Sequence, residues 1–144
     1  MLGIWILLGA CAAPAQGEPV VIQGTAISPL PTLDIGLIEE GESLYAANCA
    51  SCHGVTLAGQ PNWKESKEDG SYPAPPHDST GHTWHHPDDL LMEILARGGD
   101  PAFGSKMPGF QDTLTEYQMQ ATLVYIKSHW DIEEREFQWW ITAR

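Results

Sequence analysis

Five consecutive residues, Cys49-Ala50-Ser51-Cys52-His53, constrain this chain more than its size or composition does. Two thiols one helical turn apart, followed at once by an imidazole, form the attachment signal of a c-type haem. The spacing has a physical reason. Cys49 and Cys52 can bond the two vinyl-derived carbons on one edge of the macrocycle, and His53 then lies beneath the iron as its proximal ligand. A structural zinc site needs four ligands, and the sequence has no second cysteine pair. A thioredoxin-like redox pair belongs in a βαβ setting, and no alternating strand pattern exceeds a few residues. The expected cofactor is therefore a single haem c with its iron, held by two thioethers.

With 144 residues there is room for one small domain and a leader. Such a domain has a modest core of its own, to which a buried macrocycle would add apolar contact area. The charge balance is acidic, 7 Lys and Arg against 19 Asp and Glu, for a formal net charge of -12. Nucleic-acid binding is excluded as a function class, because its affinity comes largely from phosphate neutralisation by Lys and Arg. A polybasic surface that seeks anionic lipid is excluded on the same count. A partner selected by charge would present a basic patch, and encounter would slow as salt rises.

Three cysteines need no disulfide, since Cys11 stands apart from the Cys49–Cys52 pair. The apolar run Leu2 to Ala10 is shorter than the roughly 20 residues that cross a bilayer as a helix, and reads as the core of an export signal. It lacks preceding basic residues, which leaves room for a start upstream of Met1. Leu8-Gly9-Ala10-Cys11 resembles a bacterial lipobox, in which Cys11 is lipidated and becomes the first mature residue. An ordinary secretory signal with Cys11 incidental is the competing reading. From Ala12 to Ile35 the chain turns to Ala, Pro, Gly, Val and Ile, and Pro14, Pro19, Pro29 and Pro31 break any helix. As a random coil this stretch spans about 25–30 Å, with Val20 to Ile22 suited to pack on the domain. The expected organisation is a lipoprotein-type signal at 1–10, a lipidated Cys11 and tether at 11–35, a folded domain at 36–130, and a C-terminal helical extension at 131–144.

Gly36 to Asn48 has Leu37, Ile38, Gly41, Leu44 and Tyr45 on one helical face, with Asp34 placed to cap its start. Turn formers then crowd residues 54 to 83, and loops this long usually serve a function or wrap a ligand. A second helix is expected from Asp88 to Arg97, ending at Gly98-Gly99, with Leu90, Leu91, Ile94 and Leu95 as its buried stripe. A third runs from about Thr115 to Trp130, capped by Thr113 or Thr115. Its apolar face is Met119, Leu123, Val124, Ile126 and Trp130. The expected fold class is all-α.

Gly36 to Trp130 resembles the class I cytochromes c, in which three to five helices wrap one covalently bound haem. The resemblance rests on Gly41 and Tyr45, on Cys49-Ala-Ser-Cys52-His53-Gly54, on Lys106-Met107-Pro108-Gly109-Phe110, and on the closing helix with Leu123, Tyr125 and Ile126. The middle of the chain, Asp69 to His77 followed by Thr80 to Asp88, is similar to a subgroup of small bacterial c-type cytochromes. The resemblance implies that Met107 is the distal iron ligand, a soft thioether that raises the reduction potential. Met92 and Met119 sit within expected helices, where core packing is the default. It also implies that a proline carbonyl, from Pro75 or Pro76, accepts from His53 and fixes its ring. Trp84 is a candidate contact of the haem propionates, and Trp63 and Tyr72 are candidates to line the crevice.

His77, His82, His85 and His86 lie within ten residues and offer a second-metal reading, copper or zinc, or a substitute for Met107. Loop histidines are more often hydrogen-bonded or solvated. The aromatic end, Phe137 to Ile141, packs back on the domain or serves as a docking or membrane-interface surface. The implied function is one-electron transfer outside the cytoplasm, with no catalytic residue. Expected partners are a terminal oxidase, a quinol-oxidising complex or a copper protein, and the membrane through a lipid anchor. The rival readings are a haem-bearing subunit of a larger oxidoreductase, a small peroxidase and a haem-based sensor. The last two need an open or labile distal position.

Overall fold

The structure, a computed structural model, describes residues 20–22 and 24–144. The expected signal segment, Cys11 and the tether up to residue 19 lie outside the described residues. Five helices carry the fold: α1 (Ile35–Asn48), α2 (Ala50–His53), α3 (Asp88–Arg97), α4 (Glu116–Lys127) and α5 (Ile132–Thr142). Two 3-10 turns, Thr83–His85 and Pro101–Phe103, lie between them. The expected tether also contains a small antiparallel hairpin, β1 (Val20–Ile22) with β2 (Thr25–Ile27), in which Val20 pairs with Ile27. Among the described residues, no helix is long and apolar enough to cross a membrane.

The Asp34 side chain accepts from the Leu37 N–H at 3.1 Å and starts α1 as its sequence suggests. Gly41 is buried where α1 packs along α4. A Cβ there would collide with the Ala121 carbonyl oxygen and lie 2.7 Å from Tyr125 Cβ, so this helix approach requires glycine. Tyr45 is 1 % exposed, and its hydroxyl donates to the Gly54 carbonyl at 3.2 Å, tying α1 to the turn after α2. Burial pushes its phenol well above the usual tyrosine range.

Thr115, not Thr113, caps α4, through a reciprocal capping box with Gln118. Met119, Leu123 and Ile126 are buried as their spacing predicts, together with Tyr125, whereas Val124 is half-buried; the helix stops at Lys127, short of the expected Trp130, which is buried beyond its end. In α3, Leu91 and Leu95 enter the core, whereas Leu90 is 37 % exposed. Ile94 is half-buried, so two of the four residues of the expected stripe reach the core, and Met92 and Ala96 pack against the cluster beside them. Leu57 is fully buried with φ 61°, and periodicity does not reveal it because it belongs to no helix.

The aromatic C-terminus packs back on the domain. The Asp131 N–H at the start of α5 donates to Ser79 Oγ at 2.8 Å. Gln138, 2 % exposed, donates to Asp88 Oδ1, Thr142 Oγ1 and the His86 carbonyl, and Lys127 also pairs with Asp88. Trp139 Nε1 donates to the Ser28 carbonyl at 2.7 Å, and the Arg135 guanidinium to the Pro31 carbonyl at 3.0 Å. One face of α5 thus joins the chain segment entering the domain to the turn at residues 83–86.

Candidate haem-binding site

α1 ends at Asn48, and Cys49 serves as both its C-cap and the N-cap of α2. That single helical turn carries the whole Cys-x-x-Cys-His run. The backbone N–H groups of Cys52 and His53 both donate to the Cys49 carbonyl, at 3.1 and 2.9 Å. Gly54 follows with φ 79°, which stops the helix directly after His53. Cys49 and Cys52 are both free thiols; Cys49 is buried among the core residues and Cys52 is exposed. Burial, and secondarily the neighbouring Cys52, push the Cys49 thiol up to about 11.

His53 is 6 % exposed, and its Nδ1–H donates to the Pro75 carbonyl at 2.8 Å. A carbonyl can only accept, so this bond fixes the proton on Nδ1 and leaves Nε2 with its lone pair, ready to hold a metal. Burial lowers the His53 pKa, and the Pro75 bond opposes that shift without cancelling it. Of the two candidate prolines, Pro75 provides the acceptor. Pro76 is buried one residue further on, with its carbonyl turned to Gly81, where a Cβ would collide with it.

Met107 is half-buried and packs against the same apolar cluster that contains Cys49, Leu91 and Leu95. Backbone contacts hold its loop to the end of α3. Gly99 N–H donates to the Met107 carbonyl at 3.1 Å, Phe110 N–H to Leu95 and Gln111 N–H to Ala96. Gly98 and Pro108 form an isolated antiparallel bridge. Met119 is core, and Met92 is packed against it, as expected for methionines within helices.

Trp84 also packs on this cluster, but its Nε1–H is committed to the Ser79 carbonyl at 3.3 Å. The indole therefore offers an apolar face and not the free donor expected for a propionate contact. It meets His85 and Phe137 edge-on, with ring centroids 3.8 and 5.6 Å away. Trp63 is half-buried and stacks on His82 at 5.3 Å. Tyr72 is 47 % exposed, with its N–H bonded to the Gly104 carbonyl, so it belongs to the outer loops.

Of the four clustered histidines, His82 and His86 stay together, with ring centroids 5.6 Å apart and edge-on. His82 and His85 are exposed and His86 is half-buried, and among the described residues no three His, Cys, Asp or Glu side chains converge as a metal cluster. His77 is different. It is 8 % exposed and lies face to face with His53, ring centroids 3.7 Å apart and planes 19° from parallel. Spacing groups it with its neighbours, whereas its place directly after Pro75, the His53 acceptor, and Pro76 is the signal in the sequence.

The donor set fits haem c on its own chemistry: two unpaired thiols on one turn, a buried imidazole with a free Nε2, and a thioether at the rim of the same apolar cluster.

Comparison with known proteins agrees with that chemistry. Residues 36–126 match the family model described as cytochrome C oxidase, cbb3-type, subunit III. The chain is similar to the cbb3-type cytochrome c oxidase subunit FixP of Sinorhizobium medicae (strain WSM419), 32% identical over 102 residues, covering 68% of this chain and 32% of the relative. It is also similar to the subunit of the same name from Rhizobium meliloti (strain 1021), 27% identical over 128 residues, covering 84% of this chain and 41% of the relative. The chain thus spans well under half the length of the curated relatives it matches.

Proposed function

We propose that this chain, which belongs to the family of cbb3-type cytochrome c oxidase subunit III, is a monohaem electron-transfer cytochrome and not itself a catalyst. Haem c, when bound, supplies a one-electron ferric–ferrous couple. The chain's residues do the rest. Cys49 and Cys52 hold the macrocycle through thioethers, and His53 holds the iron through Nε2. The Pro75 carbonyl keeps the His53 proton on Nδ1 and raises the basicity of the ligating nitrogen. Met107 would supply a second iron ligand, a soft thioether that would favour the ferrous state and compete with any substrate for the metal. The apolar cluster of Leu91, Leu95, Met119 and Leu123 excludes water from the interior beside these groups.

The observation that carries the reading is the His53–Pro75 bond on the same turn as two free thiols. A terminal oxidase is the partner this reading favours, because both relatives are named as subunits of a cbb3-type cytochrome c oxidase. A haem-bearing subunit of such an oxidase is the second reading, supported by the same names. In either setting the protein works outside the cytoplasm, anchored to the membrane through a lipidated Cys11.

Redox titration of purified holoprotein, with mass measurement and ferric spectra, tests the assignment. Expected are a mass increase of one haem, histidine–methionine ligation and a single one-electron wave. A chain without covalent haem, or ferric spectra of bis-histidine or water ligation, would overturn the assignment of these ligands.

A further inference from the structure

We infer that His77 is a positioning residue for His53, acting as a flat plate that fixes the rotation of the iron ligand. The inference rests on the reading above, in which His53 Nε2 holds iron.

The Pro75 bond restrains His53 at one edge of its ring but leaves the ring able to swing about that contact. His77 supplies the missing constraint, because its ring covers a face of His53 at a centroid distance of 3.7 Å. Its own pose is firmly set. The His77 N–H donates to the Leu57 carbonyl at 2.7 Å, and its carbonyl accepts from Trp130 Nε1 at 2.8 Å. Tyr45 meets the same ring edge-on at 6.0 Å. Leu57 and Trp130 are themselves core residues, so the plate is mounted on the least deformable part of the domain.

Hydrogen bonding does not account for the side chain. Among the described residues His77 Nδ1 is buried without a partner, a cost that an apolar residue would avoid. The aromatic rings that meet it are those of Tyr45 and His53. What the position requires is a compact planar ring, and imidazole is the smallest aromatic ring that a side chain offers.

The test uses ferric holoprotein and reads the hyperfine-shifted haem-methyl proton resonances, whose order follows the orientation of the axial imidazole. His77→Leu keeps the volume and loses the plane; His77→Phe keeps the plane and loses both nitrogens. His77→Leu is expected to lose the parental order of the methyl resonances while retaining covalent haem and methionine ligation. His77→Phe is expected to restore the parental order. An unchanged order in His77→Leu overturns the inference, and so does an equal change in both variants, which would assign the role to the ring nitrogens. If His77→Leu does not fold, His77→Phe decides alone: the parental order supports the plate, and an altered order refutes it. A parent protein that lacks histidine ligation fails the functional reading itself, which its own spectrum reveals before any variant is compared.

Discussion

The two segments proposed to offer iron ligands are built in opposite ways. His53 is buried on a helical turn, hydrogen-bonded at one ring edge by Pro75 and covered on one face by His77. Met107 is half-buried on a loop held to α3 through its backbone, by the bond to Gly99, the bridge to Gly98, and the bonds of Phe110 and Gln111, with the Met107 N–H donating to Ser105 Oγ at 3.2 Å. One ligand is therefore positioned by side-chain contacts and the other by the path of the chain. The difference locates where each half is vulnerable. The His53 half fails when a ring loses its neighbour, the Met107 half when the backbone can no longer make its close approach.

The largest effects test the ligands directly. His53→Ala should abolish histidine ligation and the parental redox wave, as read by visible spectra and potentiometry. Met107→Ala should leave haem attached, because Cys49, Cys52 and His53 are untouched, but open the distal position. Reduced Met107→Ala should then bind carbon monoxide rapidly where the parent does not. Its potential should fall by roughly 100 mV or more, within the ~0.8 V range that axial ligation spans.

Two glycines sharpen the contrast at the backbone level. Gly59, at φ +69°, approaches the proximal segment so closely that a Cβ would lie 2.5 Å from Pro76 N and 2.6 Å from the Pro75 carbonyl carbon. Gly98, at φ +91°, stands in the same relation to the distal loop, with a Cβ 2.5 Å from the Met107 carbonyl oxygen. Gly59→Ala presses on two proline residues beside a packed imidazole, and should cost about 2–4 kcal/mol of stability. Gly98→Ala presses on a half-exposed loop that can yield, and should cost about 1–3 kcal/mol. Denaturant unfolding measures both. Spectra separate them further: Gly98→Ala should weaken the methionine band, whereas Gly59→Ala should leave it and disturb the histidine side. Equal loss of the methionine band in both variants would break the comparison.

The sequence makes the locally encoded features legible. The Cys49–His53 run, the Asp34 cap, the bounds of α3 and the apolar face of α4 depend on residues a few positions apart, and each appears where spacing puts it. What remained hidden depends on how distant segments meet. Pro75 lies 22 residues from His53, and only the path of the turn-rich loop decides that its carbonyl, and not that of Pro76, faces the imidazole. The same path carries His77 inward and leaves His82 and His85 outside, although all three are near neighbours in sequence. Gln138 was illegible for a related reason. A polar residue between aromatics reads as surface until Asp88, Thr142 and the His86 carbonyl supply partners for it.

The smallest expected effect concerns the ion pair next to Met107. Lys106 pairs with Asp69 at 2.7 Å, joining the distal loop to the segment that includes Tyr72. The Lys106 ammonium, with help from the Ser71 hydroxyl and N–H, holds the Asp69 carboxyl well below the usual carboxylate range. A depressed acid stabilises the fold above the pKa of the unfolded chain, about 3.9 for Asp. It loses that contribution as pH falls through its folded value. Both side chains are more than half exposed, so solvent screens the pair and the contribution is small. Asp69→Asn should therefore leave the methionine band unchanged at neutral pH and lower stability only slightly. The deficit relative to the parent should shrink as the solution is acidified below the ordinary carboxylate range. A marked loss of methionine ligation in Asp69→Asn would show that a side-chain contact holds the distal loop after all, and the contrast between the two halves would no longer stand.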